Sequence, residues 1–215
     1  LRLNHVTSNS NAARSAMSTL VDMLPNARAP LQTLDLAHNA HLEEAAILRL
    51  ISALKGLPRA LSALQLDGCG FSGRAAEALG AVLSEGTWPG SLHLLTLAHN
   101  SIGREEGSVA LAAALRCSTA LTTLDVTHTG MDMPTLLEAL LSNEALLRGL
   151  AQLYLGTNKL SRSAAAQLAE ILSRASSLRQ LGIARTQLLP ESFEPIFGAA
   201  LSNSRLVDLS VDASD

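Results

Sequence analysis

The sequence predicts an α/β solenoid in which short parallel strands alternate with helices along one continuous domain. Three observations predict this fold. A leucine pattern, most complete as L-x-x-L-x-L-x-x-N, recurs eight times in the 215 residues, and successive copies are 28–33 residues apart. The segments between the copies carry apolar residues at three- and four-residue spacing, which is typical of a helix with one buried face. Each unit is therefore predicted as a strand, a turn and a helix.

The clearest copy covers Leu92–Ile102 and reads L-x-x-L-x-L-x-x-N-x-I. This is the strand-and-turn signature of a leucine-rich repeat. The residues that mark the centres of the predicted strands are Leu1, Leu34, Leu64, Leu95, Leu124, Leu153, Leu181 and Leu209. Because this period leaves room for a full helix, we expect a leucine-rich-repeat horseshoe of about eight β-turn-α repeats. The parallel strands line its concave face and the helices form its convex face.

Six segments between the strands are predicted helices. Helix-starting residues stand at or near the beginning of several of them, namely Ser72, Ser161, Pro134 and Pro190. The predicted helices are Glu43–Lys55, Gly73–Ser84, Arg104–Arg116, Pro134–Leu141, Ser163–Ser173 and Glu191–Leu201.

The ninth position of each repeat carries a short side chain where the strand turns towards the helix. The residues there are Asn39, Cys69, Asn100, Thr129, Asn158 and Thr186. Backbone groups exposed in a turn need hydrogen-bond partners, and a short polar side chain supplies them. We therefore expect this position to be structural.

Composition places the whole chain, residues 1–215, in one domain with no linker and no apolar segment long enough to span a membrane. A net charge of −3 gives no basic footprint for nucleic acid or for insertion into a membrane. Cys69 and Cys117 are the only cysteines, so a reducing, cytoplasmic location is expected. Solenoids need capping units, and the chain begins and stops at strands. We therefore expect a piece of a longer solenoid.

Neither a cofactor nor a metal ion is predicted. Gly68–Gly73 reads G-x-G-x-x-G, the pattern of a dinucleotide-binding turn, but it falls in register with the repeat and lacks the acidic residue expected on the next strand. His5, His38, His99 and His128 share the eighth repeat position, which predicts two neighbouring pairs. A pair of imidazoles falls short of the three or four ligands that zinc takes.

Catalysis is not predicted either. No serine or cysteine aligns across the strands with a base and an orienting acid. Asp35 and Asp125 share the fifth repeat position but stand three repeats apart, too far for paired carboxylate chemistry. The chain is therefore expected to be a non-enzymatic protein that binds other proteins through its concave face.

The candidate binding residues are the outward side chains of the predicted strands and the histidines and arginine beside them: Asp35, Gln65, Thr96, Asp125, Tyr154, His99, His128 and Arg185. Tyr154 is the strongest candidate, because interface hot spots favour aromatic side chains. Trp88 is expected either at an interface or folded back on its own helix. Phe193 and Phe197, four residues apart, are predicted in the core.

Two segments resemble the repeats of CARMIL proteins, which are actin-regulatory scaffolds. They are residues 178–211, LRQLGIARTQLLPESFEPIFGAALSNSRLVDLSV, and residues 121–143, LTTLDVTHTGMDMPTLLEALLSN. Ribonuclease-inhibitor-type repeats are also similar. The resemblance implies a docking platform within a regulator of actin capping and assembly, with actin-regulatory proteins as partners. In CARMIL proteins the segment that binds capping protein lies in a tail, so no residue of this chain inherits that role.

Two other classes stay open on the sequence. A Ran-type GTPase-activating protein uses the same helical repeat, although it also has an acidic tail that this sequence lacks. The sensor repeat domain of an innate-immune-type receptor is similar as well.

Overall fold

The computed structural model describes residues 1–2, 10–24, 31–40, 42–57 and 61–211. In this part of the chain a single parallel sheet contains seven strands in sequence order. They are β1 (Thr33–Asp35), β2 (Ala63–Gln65), β3 (Leu94–Thr96), β4 (Thr123–Asp125), β5 (Gln152–Tyr154), β6 (Gln180–Gly182) and β7 (Asp208–Ser210).

Eight helices accompany these strands within the same described residues. They are α1 (Ser10–Met23), α2 (Glu44–Lys55), α3 (Gly73–Leu83), α4 (Glu106–Cys117), α5 (Met133–Leu141), α6 (Glu144–Gly149), α7 (Arg162–Arg174) and α8 (Phe193–Ser202). Two 3₁₀ helices, Trp88–Gly90 and Pro190–Ser192, complete the connections. The predicted leucine-rich-repeat solenoid is thereby confirmed.

The strands pair in the register that the leucine spacing predicts. The central leucine of each strand stands opposite the next, from Leu34 and Leu64 at one end of the sheet to Leu181 and Leu209 at the other. An eighth unit begins at the first residues, where Arg2 forms a parallel bridge with Asp35. Leu3 and His5 of that unit lie outside the described residues.

The hydrophobic core is one continuous cluster between the sheet and the helices. Leu64, Leu124 and Leu153 are almost wholly buried beneath the sheet, and Leu79 and Leu168 meet them from α3 and α7. Burying a leucine side chain stabilises the folded state by roughly 1.5–3 kcal/mol relative to leaving it exposed. Each repeat contributes one strand leucine and one helix face to this core, so the core gains one layer per repeat.

The ninth-position side chains fill the turn as predicted. The Nδ2 group of Asn100 donates to the carbonyl oxygens of Leu66, Leu97 and Ala98, and its Oδ1 accepts from the amides of Cys69 and Phe71. Asn100 and Asn158 thus each bond their own turn and the turn of the preceding repeat. In contrast, the Thr129 hydroxyl reaches the carbonyl of Val126 and the oxygen of the next asparagine.

Helix starts follow the predicted signals. Ser72 and Ser161 are N-caps whose hydroxyl oxygens accept from the amides of Ala75 and Ala164. Pro134 lies in the first turn of α5, behind the N-cap Asp132. Pro190 begins a 3₁₀ turn, and the α-helical part of that segment starts at Phe193.

Helices α1 and α6 lie outside the six predicted segments. Helix α6 has six residues, and such a short stretch shows too little periodicity to be recognised. It is set by its N-cap Asn143, whose Nδ2 donates to the carbonyls of Leu115 and Ser118 at the end of α4, one repeat earlier. A tertiary contact therefore decides where this helix begins.

The prediction that Phe197 lies in the core is wrong, and Phe193 is only half-buried. The two rings stack on one another with centroids 5.5 Å apart, but Phe197 is 38% exposed. Helix α8 packs mainly against α7, and nothing in the described residues covers its other side. Leu201 and Val207 are exposed at the same end of the stack. Trp88, by contrast, is buried near the ends of α3 and α4 and belongs to the core.

Candidate protein-binding surface

The face of the sheet opposite the helices, called here the open sheet face, contains most of the candidate residues. Side chains alternate along a strand, so the residues on either side of each buried leucine point away from the helices. Three rows result. They are Thr33, Ala63, Leu94, Thr123, Gln152, Gln180 and Asp208; then Asp35, Gln65, Thr96, Asp125, Tyr154, Gly182 and Ser210; then Ala37, Asp67, Ala98, Thr127, Gly156 and Ala184.

The sheet register brings the candidate residues of the second row together. Gln65 stands opposite Thr96, Thr96 opposite Asp125, and Asp125 opposite Tyr154. Adjacent strands are about 4.8 Å apart, so these four side chains are consecutive neighbours on the open sheet face.

Asp35 belongs to the same row but differs from expectation, because it is only 5% exposed. Its Oδ1 accepts a hydrogen bond from the amide of Ala37. The backbone of Arg2 forms a parallel β-bridge with Asp35 on the side away from β2. Backbone therefore lies on both sides of Asp35, and its low exposure shows that it is not an accessible contact residue.

The charged side chains of the three rows are all aspartates. They are Asp35, Asp67, Asp125 and Asp208, and no lysine or arginine occupies these rows in the seven described strands. Asp67 accepts from the Ala98 amide and the Thr96 hydroxyl, and Asp125 accepts from the Thr127 amide. The open sheet face is therefore acidic.

A hydrogen-bonded chain of side chains crosses strands β4, β5 and β6. The Thr123 hydroxyl donates to Gln152, the Gln152 amide donates to Gln180, and the Tyr154 hydroxyl donates to Gln180 at 2.7 Å. Tyr154 leans over Gly182: its Cδ1 lies 2.8 Å from the point where a Cβ at Gly182 would stand. Gly182 therefore leaves the space in which the tyrosine ring rests.

The electrostatics of this area reflect partial burial and neighbouring carboxylates. Burial raises the pKa of Asp125 above its usual value, and Asp67 raises it further, whereas hydrogen bonds from Thr127 and the nearby His99 lower it. Burial also raises the pKa of Tyr154, followed by the charges of Asp125 and Asp208. Tyr154 is therefore close enough to two carboxylates for its hydroxyl to respond to them.

His99, His128 and Arg185 lie beside the open sheet face, at the rim where the strands turn. The rim position adopts a left-handed backbone conformation in six successive repeats, with φ between +54° and +62° at His38, Gly68, His99, His128, Thr157 and Arg185. Such a φ explains why a glycine is accepted at position 68. The rings of His99 and His128 are 5.4 Å apart, as predicted for one pair. His5 of the other predicted pair lies outside the described residues.

Gln180 and Gly182 were not among the candidate residues of the sequence. Gln180 accepts hydrogen bonds from Gln152 and Tyr154, and Gly182 makes room for the ring of that tyrosine. In the strand register a glycine stands directly opposite the single tyrosine. That pairing is the sequence signal from which the contact of the Tyr154 ring with Gly182 could have been predicted.

The glycines of Gly68–Gly73 have structural roles in the repeat. Gly68 and Gly70 have φ of +58° and +75° in the turn, and a Cβ at Gly73 would stand 2.9 Å from the carbonyl oxygen of Ile102. They serve a tight turn and a close helix approach.

Among the described residues no group of three His, Cys, Asp or Glu side chains is arranged to hold a metal ion. In that same part of the chain no helix is long and apolar enough to span a bilayer.

No protein-family profile and no curated protein matches the chain by sequence. Among solved structures it is similar to the C-terminal domain of tropomodulin from Caenorhabditis elegans, with 12% identity and a TM-score of 0.50 over 86% of this chain and 91% of that one. It is also similar to actin-binding site 2 of leiomodin-1, with 11% identity and a TM-score of 0.46 over 86% and 87%. TLR13, from its complex with ssRNA13, has 15% identity and a TM-score of 0.30 over 91% of this chain and 34% of its own. At such identity the tropomodulin likeness shows the fold alone.

Proposed function

We propose that this chain is the protein-binding repeat domain of a non-enzymatic scaffold that regulates actin assembly, similar to a CARMIL protein, and that it binds its partners through the open sheet face. The observation that carries the proposal is a partly exposed row of neighbouring polar side chains, Gln65, Thr96, Asp125 and Tyr154, held in register by one sheet. Rigid, pre-organised surfaces lose less conformational entropy when they bind.

The actin-regulatory part of the proposal is supported by the resemblance of residues 121–143 and 178–211 to CARMIL repeats. Partners of that kind are cytoplasmic proteins, which agrees with two cysteines that are both free in the described chain. Cofactors have no place in this proposal. The rim residues His99, His128 and Arg185 would contact parts of a partner that extend beyond the sheet.

Affinity capture from cytosolic extract, with bound proteins identified by mass spectrometry, tests the proposal. We expect the wild-type chain to recover actin-regulatory proteins and the double variant Asp125→Ala/Tyr154→Ala to lose them. Both side chains are only half-buried on the sheet face, so the melting temperature should change little. Each recovered protein is then purified and its binding measured directly.

The matched control is Glu77→Ala/Val109→Ala, which removes one acid and one apolar side chain from exposed positions on α3 and α4. It should retain the same partners. Equal loss in the control and the sheet variant would place the binding surface elsewhere. Recovery of a small GTPase in place of actin-regulatory proteins would contradict the actin assignment and favour a GTPase activator.

A further inference from the structure

The charge of the open sheet face is one-sided. Asp67, Asp125 and Asp208 project from its rows, and none of them makes an ion pair with a lysine or arginine of the described residues. The convex side differs, since Arg174 on α7 pairs there with Glu144 and Glu170. Ion pairs thus occur on the convex side, whereas no lysine or arginine of the described residues pairs with Asp67, Asp125 or Asp208.

An aromatic ring lies among these carboxylates. Tyr154 is directly opposite Asp125 in the strand register, and its ring rests over Gly182. Its hydroxyl is directed to Gln180, which stands opposite Asp208. The ring is therefore held in place by a hydrogen bond and by the close contact with a glycine, with one carboxylate on each side.

A bound cation would offset the negative charge around the Tyr154 ring, which a neutral group cannot do. Asp125 is half-buried, and its raised pKa means that its negative charge is disfavoured in the unbound protein. A guanidinium group donates paired hydrogen bonds to a carboxylate and also stacks on an aromatic face, whereas an ammonium group lacks the planar fork. Arginine is therefore the side chain that uses both features of the site.

The length of the acidic face limits the shape of the ligand. Asp67 follows β2 and Asp208 begins β7, so five strand spacings, about 24 Å, separate them across the sheet, and an offset of four residues adds about 13 Å along the strands. The separation is therefore about 27 Å, which roughly eight or nine residues of an extended peptide cover at about 3.3 Å per residue. A single short segment therefore reaches both ends of the acidic face.

We propose that the open sheet face binds an extended, arginine-bearing segment of a partner protein, with one guanidinium group seated between Asp125 and Tyr154. The inference rests on the proposed use of this face for protein binding and specifies the chemistry of the partner. The remaining aspartates add an electrostatic attraction that favours a segment with more than one positive charge.

Three fluorescein-labelled nonapeptides test this inference directly: GSGRGSGRG, the same peptide with citrulline in place of arginine, and GSGEGSGEG. Citrulline keeps the shape of arginine and removes its charge. Fluorescence anisotropy at low ionic strength should show binding of the arginine peptide. The citrulline and glutamate peptides should bind about tenfold more weakly or less, a difference that corresponds to 1.4 kcal/mol.

Single variants locate the site. Asp125→Asn and Tyr154→Leu should each weaken the arginine peptide about fivefold or more, as expected for the loss of a charge-assisted or aromatic contact. The matched control Glu77→Gln removes the same charge from the exposed face of α3 and should change the affinity less than about twofold. Asp208→Asn, at an exposed position, tests the acidic face even if Asp125→Asn destabilises the fold, and it should also weaken binding.

Equal affinity for the arginine and citrulline peptides would overturn the inference, and so would an equal effect of Glu77→Gln and Asp125→Asn. These failures are distinct from a failure of the proposed function. If captured partners depend on Asp125 and Tyr154 while the arginine peptide does not bind, the face binds proteins of another chemistry. If the arginine peptide binds as expected but no actin-regulatory protein is captured, the actin assignment alone is wrong.

Discussion

At the scale of single residues, the ninth position shows how one side chain joins two repeats. Asparagine alternates there with a shorter residue, in the order Asn39, Cys69, Asn100, Thr129, Asn158 and Thr186. The Oδ1 of Asn158 accepts from the amides of Thr129 and Gly130 in the preceding repeat, just as Asn100 serves Cys69 and Phe71. Asn100 and Asn158 each supply partners to two turns, so the threonine between them needs only a short side chain.

Replacement of Asn100 by alanine should therefore cost more than replacement of its shorter counterpart. We expect Asn100→Ala to lower the free energy of unfolding by about 2–4 kcal/mol, since buried amides and carbonyls on two turns lose a partner. Thr129→Val, which removes only a hydroxyl, should cost about 1 kcal/mol. Urea titrations give both values, and equal losses would show that the asparagine does not bridge the repeats.

The buried thiol of Cys69 should make the free energy of unfolding depend on pH. Burial raises the pKa of its thiol to about 12 from an ordinary value of 9.0. A group whose pKa is raised on folding stabilises the protein fully below its unfolded pKa and less as the pH rises through that value. The free energy of unfolding should thus fall above about pH 9, by up to roughly 1.4 kcal/mol per pH unit.

The Cys69→Thr variant isolates this effect, because threonine is the native residue at the same position of two other repeats. Between pH 8 and pH 10 the wild-type protein should lose more stability than the variant, as measured by urea titration under reducing conditions. Thiol labelling at pH 8 provides a second measurement. The exposed Cys117 should react at once and the buried Cys69 only after unfolding.

At the scale of elements, helices α3 and α4 pack unusually closely. A Cβ at Gly80 would stand 2.6 Å from backbone atoms of Ala110, and one at Gly107 would stand 2.7 Å from the carbonyl oxygen of Gly73. Gly80 is inside α3, where a glycine is otherwise unfavourable, and Gly107 lies in the first turn of α4. The close contact between helix backbones explains why glycine is needed there.

Gly80→Ala and Gly198→Ala are the same substitution in two helices and should have opposite effects. At Gly80 the added methyl group overlaps the backbone of α4, and we expect a loss of about 1–3 kcal/mol. At Gly198 in α8 nothing lies within 4 Å of the added atom, so the higher helix propensity of alanine should stabilise the protein by about 0.5–1 kcal/mol. Thermal unfolding distinguishes the two, and a stabilised Gly80→Ala protein would contradict the close packing.

At the scale of the whole molecule, stability comes from the layered core that continues through all repeats. In a solenoid each repeat contacts mainly its neighbours, so loss of one layer weakens the attachment of the layers on both sides. The same reasoning explains the exposed side chains of the last described repeat. Leu201 is 89% exposed because no further helix packs on it within the described residues.

Leu153→Ala and Leu201→Ala test this account of the core. Leu153 is buried in the middle of the sheet, and its truncation should cost about 2–5 kcal/mol, as should Leu124→Ala. Leu201→Ala should remain within about 0.5 kcal/mol of the wild type. A near-neutral result at Leu153 in a urea titration would mean that the strand register is wrong.

The sequence by itself determined the repeat architecture and the residue order of the open sheet face. Because the side-chain period of a strand is two and the leucine spacing repeats, the neighbours Asp125 and Tyr154 follow from the pattern. The turn asparagines follow from the need of turn amides and carbonyls for partners.

Other features were decided by the tertiary structure. The sequence pattern does not show that Asp35 is covered, that Phe197 is exposed, that Trp88 is buried, or that Tyr154 rests over Gly182 and bonds Gln180. Each of these features depends on which side chains or backbone a neighbouring repeat places beside the residue. That arrangement is set by packing between elements far apart in the chain. Periodicity reports which way a side chain points, and only the packed structure decides what it meets there.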